Sequence, residues 1–365
     1  MPASKTKLLL IALILCGCEK PKPKAAALEG QTPEIVLWSS SPVLDGNFDT
    51  SGETGETIVT ASADGTVRRW NAKTGNLLGQ SDKTLQHALF AEVNPRGQVV
   101  FISADDGIVQ VWNSAGASQT KVISRGATAA TFSPDSEWLL TGGEDGIVRV
   151  WDSVSGALVM ELTGHENGVA SIRSGSDRKR LVAGGDSSIG SIWDLSSKSR
   201  TALVGHTNHI MRVALSPDDS TALTVSWDRT AKLWDAQTGR LLVTLSGHHE
   251  YLWTGEFSPD GSKVITAGGD GTARIWSSDS GALLAIARGH DSTINHLAFG
   301  HDRKVFFTGS WDGTARMWDI DTGREIVKFS SHLDFLTSVA IGAGGAYLLT
   351  TSADRTAAIW RLRSF

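Results

Sequence analysis

The residues best suited to catalysis in this 365-residue chain are serines, histidines and aspartates that recur together with a tryptophan. Three such sets can be read from the sequence: His206, Ser226, Asp228 and Trp234; His290, Ser310, Asp312 and Trp318; and His332, Ser352, Asp354 and Trp360. A serine beside a histidine that is oriented by an aspartate is the arrangement of nucleophilic hydrolases. A hydrolase needs one such site, whereas a repetitive fold needs the same structural fastening in every unit. The threefold repetition therefore favours a structural role, and we predict no catalytic residue.

Other kinds of chemistry find little support in the sequence. His248, His249 and Glu250 are adjacent rather than spaced to present one metal-ligand face. No glycine-rich segment opens a helix in the manner of a phosphate-binding loop. The formal net charge is −5, and the body of the chain has no basic tract, which argues against a nucleic-acid partner. We predict no metal and no cofactor.

A repeat that fills most of the chain carries these residues. Its eight tryptophans are separated by 42, 39, 42, 41, 42, 42 and 42 residues: Trp70, Trp112, Trp151, Trp193, Trp234, Trp276, Trp318 and Trp360. Within each period, short segments rich in Val, Ile, Leu, Thr and Phe alternate with turn clusters such as Ser258–Gly261. Four strands per period make one small antiparallel sheet, which must pack against its neighbours to bury its faces. A ring of such sheets is the closed solution.

The period and its motifs resemble those of the WD40 family, whose repeats of about 40–45 residues carry Gly-His and Trp-Asp signatures. Gly205-His206 and Trp234-Asp235 are examples in this chain. The resemblance implies a β-propeller with a buried hydrogen-bond chain in each blade. In that chain the indole N–H donates to the serine hydroxyl, the hydroxyl contacts the imidazole, and the imidazole contacts the turn aspartate. We therefore interpret the three sets as structural tetrads.

Several repeats depart from this pattern. The sixth keeps His248, Asp270 and Trp276 but has Gly268 where the others have serine. In the fourth, Asp186 lies one residue out of register, and repeats one to three lack the Gly-His pair. We expect the first half to be fastened more loosely, or alternatively to have been reshaped for function.

The two ends of the repeat region predict how the ring closes. The last repeat stops at residues 361–363, after its third strand, and residues 34–38 form a spare strand ahead of the first repeat. We expect residues 35–39 to pair with residues 356–361 and to supply the missing fourth strand. The predicted fold is therefore all-β, an eight-bladed propeller of four-stranded antiparallel blades over residues 34–365.

The resemblance also implies where a partner would bind. In this family the loops between blades and the turns between second and third strands gather on the narrow top face. Two kinds of position reach it: the residue before the turn aspartate, and the pair that flanks the first apolar residue of the innermost strand. In repeats five to eight these positions include Trp227, Trp253, Trp311, Tyr251, Phe335, Met211, His209 and Asn295. Exposed aromatic side chains dominate interface energetics, so this group is the candidate partner-binding surface. The alternative is that the rings plug the central channel.

The first 33 residues have the pattern of a targeting segment. Lys5 and Lys7 precede an apolar run at residues 8–15 that is too short to span a bilayer, so residues 1–17 are predicted to be a signal peptide. Residues 15–18, Leu-Cys-Gly-Cys, resemble the bacterial lipobox, which implies that Cys18 becomes a lipidated N-terminus with more than one acyl chain. Residues 18–33 would then form a tether rich in Lys, Pro and Ala. A plain cleaved signal peptide and a redox Cys-x-Cys pair are the alternatives.

Together these features predict a lipid-anchored scaffold of the bacterial cell envelope that binds a partner protein or peptide on its top face and catalyses no reaction. Glu19 follows Cys18 in place of the aspartate that favours inner-membrane retention, which points to the outer membrane. Two alternatives remain. One is a component of outer-membrane protein assembly, by architectural analogy; the other is an enzyme or small-ligand receptor that uses the central channel. The oligomeric state stays open.

Overall fold

The structure is a computed structural model that describes residues 31–49, 57–81, 88–103, 107–113, 120–301 and 303–362. The predicted signal peptide, Cys18 and most of the predicted tether lie outside the described residues. In the described ranges, no helix has both the length and the apolar character needed to cross a membrane.

The described residues form 32 strands and one turn of 3-10 helix, Ala343–Gly345. The first sixteen strands are β1 (Ile35–Trp38), β2 (Val43–Asp49), β3 (Thr57–Ser62), β4 (Val67–Asn71), β5 (Leu77–Gln80), β6 (Ala88–Val93), β7 (Gln98–Ser103), β8 (Val109–Asn113), β9 (Thr120–Ser124), β10 (Ala127–Phe132), β11 (Trp138–Gly143), β12 (Val148–Asp152), β13 (Leu158–Leu162), β14 (Val169–Ser174), β15 (Arg180–Gly185) and β16 (Ile189–Asp194). The second sixteen are β17 (Ser199–Val204), β18 (Ile210–Leu215), β19 (Thr221–Ser226), β20 (Thr230–Asp235), β21 (Leu241–Ser246), β22 (Leu252–Phe257), β23 (Lys263–Gly268), β24 (Thr272–Ser277), β25 (Leu283–Arg288), β26 (Ile294–Phe299), β27 (Val305–Ser310), β28 (Ala315–Asp319), β29 (Glu325–Phe329), β30 (Leu336–Ile341), β31 (Tyr347–Ser352) and β32 (Thr356–Arg361).

These strands pair as eight four-stranded antiparallel sheets. Blades 1 to 7 each consist of four consecutive strands, beginning at β2, β6, β10, β14, β18, β22 and β26, and blade 8 consists of β30, β31 and β32 with β1 added to β32. The fold is thus the all-β, eight-bladed propeller that the repeat period predicts.

Burial within a blade follows from the place of each strand. Residues 222–226 of β19, a second strand, are all buried, because that strand has a neighbour on each side and sheets against both faces. In β21, an outermost strand, only Leu245 is buried, while Leu241 and Leu242 are each 40% exposed. The inner strands therefore make the core and the outer strands make the surface.

The chain divides into two compact units. The first contains blades 3 to 6 (residues 126–288, with the turn at 321–323), and the second contains blades 1, 2, 7 and 8. In the first unit, Leu140, Val169 and Trp193 belong to one buried cluster formed by blades 3 and 4. In the second unit, Leu37 and Ile359 of blade 8 pack with the side chain of Phe48 in blade 1. Within each unit, neighbouring sheets bury faces that no single sheet could bury alone.

The N-terminal strand completes the last blade, as the sequence predicts. β1 pairs antiparallel with β32 in a register that places Ile35 opposite Ile359 and Trp38 opposite Thr356. The backbone N–H of Ser39 extends the pairing by donating to the carbonyl of Arg355 at 2.9 Å. Residues far apart in the sequence thereby share one sheet.

Two adjacent residues of β1 test how much this strand contributes to stability. Leu37 is 4% exposed and Trp38 is 72% exposed, because successive side chains of a strand point to opposite faces. We expect Leu37→Ala to lower the free energy of unfolding by about 2–4 kcal/mol through lost burial and a cavity. The matched control Trp38→Ala should change it by less than about 0.5 kcal/mol. Urea titration followed by circular dichroism measures both, and equal losses would contradict the role of β1 in the core.

Candidate binding surface at the upper edge of the blades

A buried chain of hydrogen bonds fastens blades 5 to 8. In blade 5 the Trp234 indole N–H donates to Thr224 Oγ1 at 2.8 Å, and that hydroxyl lies 2.7 Å from His206 Nε2. His206 Nδ1 lies 2.7 Å from Asp228 Oδ2. The same four residue types make the same contacts in the next three blades: Trp276, Thr266, His248 and Asp270; Trp318, Thr308, His290 and Asp312; and Trp360, Thr350, His332 and Asp354.

The prediction that a serine supplies the hydroxyl group of this hydrogen-bond chain is wrong. Trp234 lies opposite Ala222 in the sheet, so its indole reaches Thr224, the next residue on the same face of the strand. Ser226 lies two residues beyond Thr224, at the strand end, where its hydroxyl donates to the carbonyl of Asn208 at 3.1 Å. Its oxygen also accepts a backbone N–H of the turn at 3.1 Å. Ser310 and Ser352 make the same bonds in blades 7 and 8.

The threonine also explains why blade 6 has a complete tetrad without the serine. Thr266 supplies the hydroxyl to Trp276 and His248, each at 2.8 Å. At the serine position stands Gly268, where a Cβ atom would lie 2.2 Å from the carbonyl oxygen of Tyr251. The close approach of the two backbones therefore excludes a side chain at Gly268, and the loss of the serine does not interrupt the hydrogen-bond chain.

In blade 7 the surroundings of the tetrad shift the pKa of its histidine and of its aspartate downward. Burial lowers the pKa of His290. Burial alone would raise the pKa of Asp312, but hydrogen bonds from His290 and Thr314 hold it well below its usual range. Thr308, which contacts the imidazole, is 0% exposed. A hydrolase needs an accessible hydroxyl against its histidine, whereas here the histidine is occupied by a hydroxyl that no substrate can reach.

Blades 1 and 3 use an arginine where the later blades use histidine. Trp70 donates to Thr60 at 2.9 Å, and Arg68 forms a salt bridge of 2.6 Å with the turn residue Asp64. Burial raises the pKa of Asp64, but the hydrogen bonds from Arg68, Thr66 and Ser40 and the charge of Arg68 together outweigh it and lower that pKa to about 2. Blade 3 repeats the arrangement with Trp151, Thr141, Arg149 and Asp145. The sequence signal for this clamp is an arginine two residues before the tryptophan in a repeat that lacks the Gly-His pair, since Arg274 and Arg316 stand at the same position in repeats that have a histidine.

Blade 4 has neither arrangement. Ala183 occupies the threonine position, and His165 Nδ1 instead contacts Ser191 Oγ at 2.9 Å. Burial lowers the pKa of His165 to about 4. The register slip of Asp186 is real: its N–H donates to the carbonyl of Gly168, the bond made by the residue before the turn aspartate in other blades. Asp186 therefore takes the surface position rather than the tetrad position.

We call the upper edge of a blade the end that carries the turn between its second and third strands and the connection from the preceding blade. At this end, the residue directly before the position of the turn aspartate donates its backbone N–H to a backbone carbonyl of that connection. In blades 3 to 6 these bonds measure 3.3, 2.9, 3.0 and 2.8 Å and are donated by Glu144, Asp186, Trp227 and Gly269. The four positions are therefore equivalent, and the side chains of Glu144, Asp186 and Trp227 belong to the upper edge.

Bulges place a second set of side chains at this edge. The pairing of β18 with β19 skips Met211, and the pairing of β22 with β23 skips Trp253. A bulge residue lies outside the ladder and can be aimed away from it. Both side chains are half-buried.

Four of the predicted binding residues form one ring cluster in the first unit. The Trp227 ring lies 5.4 Å from His209, 5.6 Å from Trp253 and 6.0 Å from Tyr251, between centroids. Tyr251 and Trp253 are 6.0 Å apart. Tyr251 is 38% exposed, and the indole N–H of Trp227 has no hydrogen-bond partner in the described structure. Four of the eight predicted residues therefore contact one another at the upper edge, and their part in partner binding stays a prediction.

Three of the predicted residues belong to the second unit: Asn295, Trp311 and Phe335. The rings of Trp311 and Phe335 are 6.3 Å apart. Asn295 donates its side-chain N–H groups to the carbonyls of Leu336 at 3.0 Å and Thr337 at 3.3 Å. The Asn295 amide therefore joins blade 7 to blade 8, a structural use that the sequence prediction misses.

Two further predictions concern metal and lipid. Among the residues that the structure describes, no three or more His, Cys, Asp or Glu side chains are grouped so as to hold a metal ion. Cys18, the predicted lipidation site, lies outside the described residues.

These features define a propeller whose blades are fastened by a repeated hydrogen-bond chain. The model of the WD40 family (WD domain, G-beta repeat) matches six segments of the chain, residues 120–152, 156–194, 197–235, 239–277, 281–319 and 323–361, so the protein belongs to the WD40 family. The chain is similar to the crystal structure of the computationally designed protein Ika8, with a TM-score of 0.78 and 25% identity over 91% of this chain and 100% of that one. Among curated proteins, none matches the sequence. WD40 propellers generally serve as protein-interaction scaffolds and commonly bind proteins or peptides.

Proposed function

We propose that this WD40 protein is a lipid-anchored scaffold of the bacterial cell envelope that binds a partner protein or peptide at the upper edge of blades 5 and 6. The observation that carries the proposal is the cluster of His209, Trp227, Tyr251 and Trp253 at that edge. Aromatic residues grouped at a surface are typical of the energetic centre of an interface.

The tryptophans of the cluster differ from those of the core. The core residue Trp318 is 0% exposed and donates its indole N–H to Thr308, as its counterparts in blades 5, 6 and 8 do. Trp227 is half-buried, and its indole N–H has no acceptor in the described structure. An unpaired N–H that is shielded from water costs about 1–3 kcal/mol, and an acceptor on a partner would remove that cost. This supports a binding role for the cluster over a packing role.

A binding role without catalysis also fits the tetrads. Each histidine of blades 5 to 8 is occupied by a threonine hydroxyl and an aspartate. Ser226, the apparent nucleophile in the sequence, bonds instead to the backbone around its own turn. We propose that these residues fasten the fold and that the protein is not an enzyme.

The membrane part of the proposal rests on the N-terminal sequence. An apolar run at residues 8–15 followed by Leu-Cys-Gly-Cys would supply an acylated Cys18, and the Lys-, Pro- and Ala-rich residues after it would separate the propeller from the lipid. Anchoring at the outer membrane would hold the upper edge among envelope proteins, where a scaffold meets its partners.

Co-purification after crosslinking in native membranes tests the partner-binding surface. The full chain is compared with the double variant Trp227→Ala/Trp253→Ala and with Trp38→Ala, which removes an exposed tryptophan elsewhere. Each variant is first shown by circular dichroism to be folded. We expect a specific partner with the wild type and Trp38→Ala, and its loss from the double variant, because the aromatic contact area is gone. Recovery of the same proteins with all three chains would refute the proposed surface.

Incorporation of a fatty-acid probe in living cells tests the anchor. We expect labelling of the wild type and of Cys16→Ser, because the acceptor thiol of Cys18 remains, and no labelling of Cys18→Ser. Separation of inner and outer membranes on a density gradient should place the labelled chain with the outer membrane. Labelling that survives Cys18→Ser, or a wild-type chain that takes up no probe, would contradict the lipid-anchor assignment.

A further inference from the structure

The chemistry around the aromatic cluster points to the kind of partner that fits it. We propose that the partner contributes a cationic segment, with arginine or lysine side chains that lie along an acidic–aromatic strip on blades 3 to 6. The strip consists of Glu144, Asp186, His209, Trp227, Tyr251 and Trp253. This inference rests on the proposed function, since it names the chemistry of the partner at the same surface.

The acidic end of the strip is continuous with its aromatic end. Gly168 lies between the two acids: a Cβ atom built on it would be 3.2 Å from Asp186 Oδ2 and 3.5 Å from the Cα atom of Glu144. Asp186 Oδ1 lies 3.9 Å from His209 Nδ1, and the His209 ring contacts Trp227 edge-on at 5.4 Å between centroids. The absence of a side chain at Gly168 leaves the space between the acids open.

The two acids stand at a different position from the turn carboxylates that fasten the fold. In blade 5 the turn carboxylate belongs to Asp228, which is bound by His206. In blade 4 the register slip moves the acid one position earlier, to Asp186, at the place that Trp227 occupies in blade 5. In blade 3 the turn carboxylate of Asp145 is held by Arg149, and Glu144 stands before it as an exposed acid.

The surroundings of the strip are acidic as well. In blades 3 to 6, the connections and turns of the upper edge carry two arginines, Arg125 and Arg229, beside exposed Glu166 and Glu250 and the two acids of the strip. A field of one sign at a surface attracts segments of the opposite sign and accelerates their encounter.

Rings and carboxylates together favour a cation over an apolar partner. A guanidinium or ammonium group within about 6 Å of an aromatic face is attracted by the ring quadrupole and can pair with a carboxylate alongside. A purely apolar partner that covered the same strip would remove the carboxylates of Asp186 and Glu144 from water, which is unfavourable for charged groups. The strip therefore matches a segment in which basic side chains alternate with small or apolar ones.

Peptide binding to the full chain in detergent tests this inference. Fluorescein-labelled peptides of equal length, rich in arginine, glutamine or glutamate, are titrated by fluorescence anisotropy at low and high salt. We expect the arginine peptide alone to bind, more weakly at high salt because charges are screened. Glu144→Gln/Asp186→Asn should weaken it about five- to tenfold through two lost charge pairs, one partly buried. Asp279→Asn, an exposed charge at the opposite end of blade 6, should leave the affinity unchanged.

Three outcomes would overturn the inference: binding of the glutamine peptide as tight as that of the arginine peptide, an arginine peptide that does not bind, or equal weakening by Asp279→Asn and the strip variant. Co-purification of the partner with each variant distinguishes failure of this inference from failure of the proposed function. If Trp227→Ala/Trp253→Ala loses the partner while Glu144→Gln/Asp186→Asn keeps it at wild-type affinity, the surface is correct and the cationic chemistry is wrong. Loss with both variants supports the inference.

Discussion

The hydrogen-bond chain from tryptophan through threonine and histidine to aspartate is the interaction on which the upper edge of blades 5 to 8 depends. It joins the third strand, the second strand, the incoming connection and the turn of one blade. In blade 5 it ends at Asp228, whose other carboxylate oxygen accepts the Thr230 hydroxyl at 2.6 Å. Each buried polar group in the chain needs its neighbour, because an unpaired one is costly. The turn that carries Trp227 is consequently held in one conformation.

The hydrogen-bond chain binds the turn aspartate and leaves the residue before it at the surface, and the proposed interaction surface consists partly of such residues. Where the tetrad is complete, its aspartate is bound by histidine, and the preceding position is free to carry Trp227. Where the tetrad is altered, in blades 3 and 4, the same position carries Glu144 or Asp186. The same backbone hydrogen bond, made once in each blade, thus places an acidic side chain at the upper edge of blades 3 and 4 and an aromatic ring at that of blade 5. The divergence of blades 3 and 4 therefore interrupts the repeat pattern and also places acidic side chains at the surface.

Much of the fold could be predicted because the regular spacing of the repeats can be read from the sequence without a structure. The tryptophan spacing counts the blades, and the missing last strand identifies residues 35–39 as its replacement, which the pairing of β1 with β32 confirms. The hydroxyl partner could not be predicted in this way, because Thr224 and Ser226 share one face of the same strand and only distance decides between them. The clamp by Arg68 and the structural use of Asn295 depend on contacts between segments that no repeat pattern reveals.

The most direct test of this account compares Thr224→Val with Ser226→Ala by urea unfolding and by hydrogen exchange of residues 227–230. Thr224→Val leaves the buried nitrogens of Trp234 and His206 without their shared hydroxyl, so we expect a loss of about 2–4 kcal/mol and faster exchange in the turn. Ser226→Ala removes bonds to the backbone of Asn208, which is exposed, and of Asp228, which is half-buried, so its loss should be the smaller. A larger loss for Ser226→Ala, or unchanged exchange in Thr224→Val, would contradict the claim that this hydrogen-bond chain holds the upper edge in place.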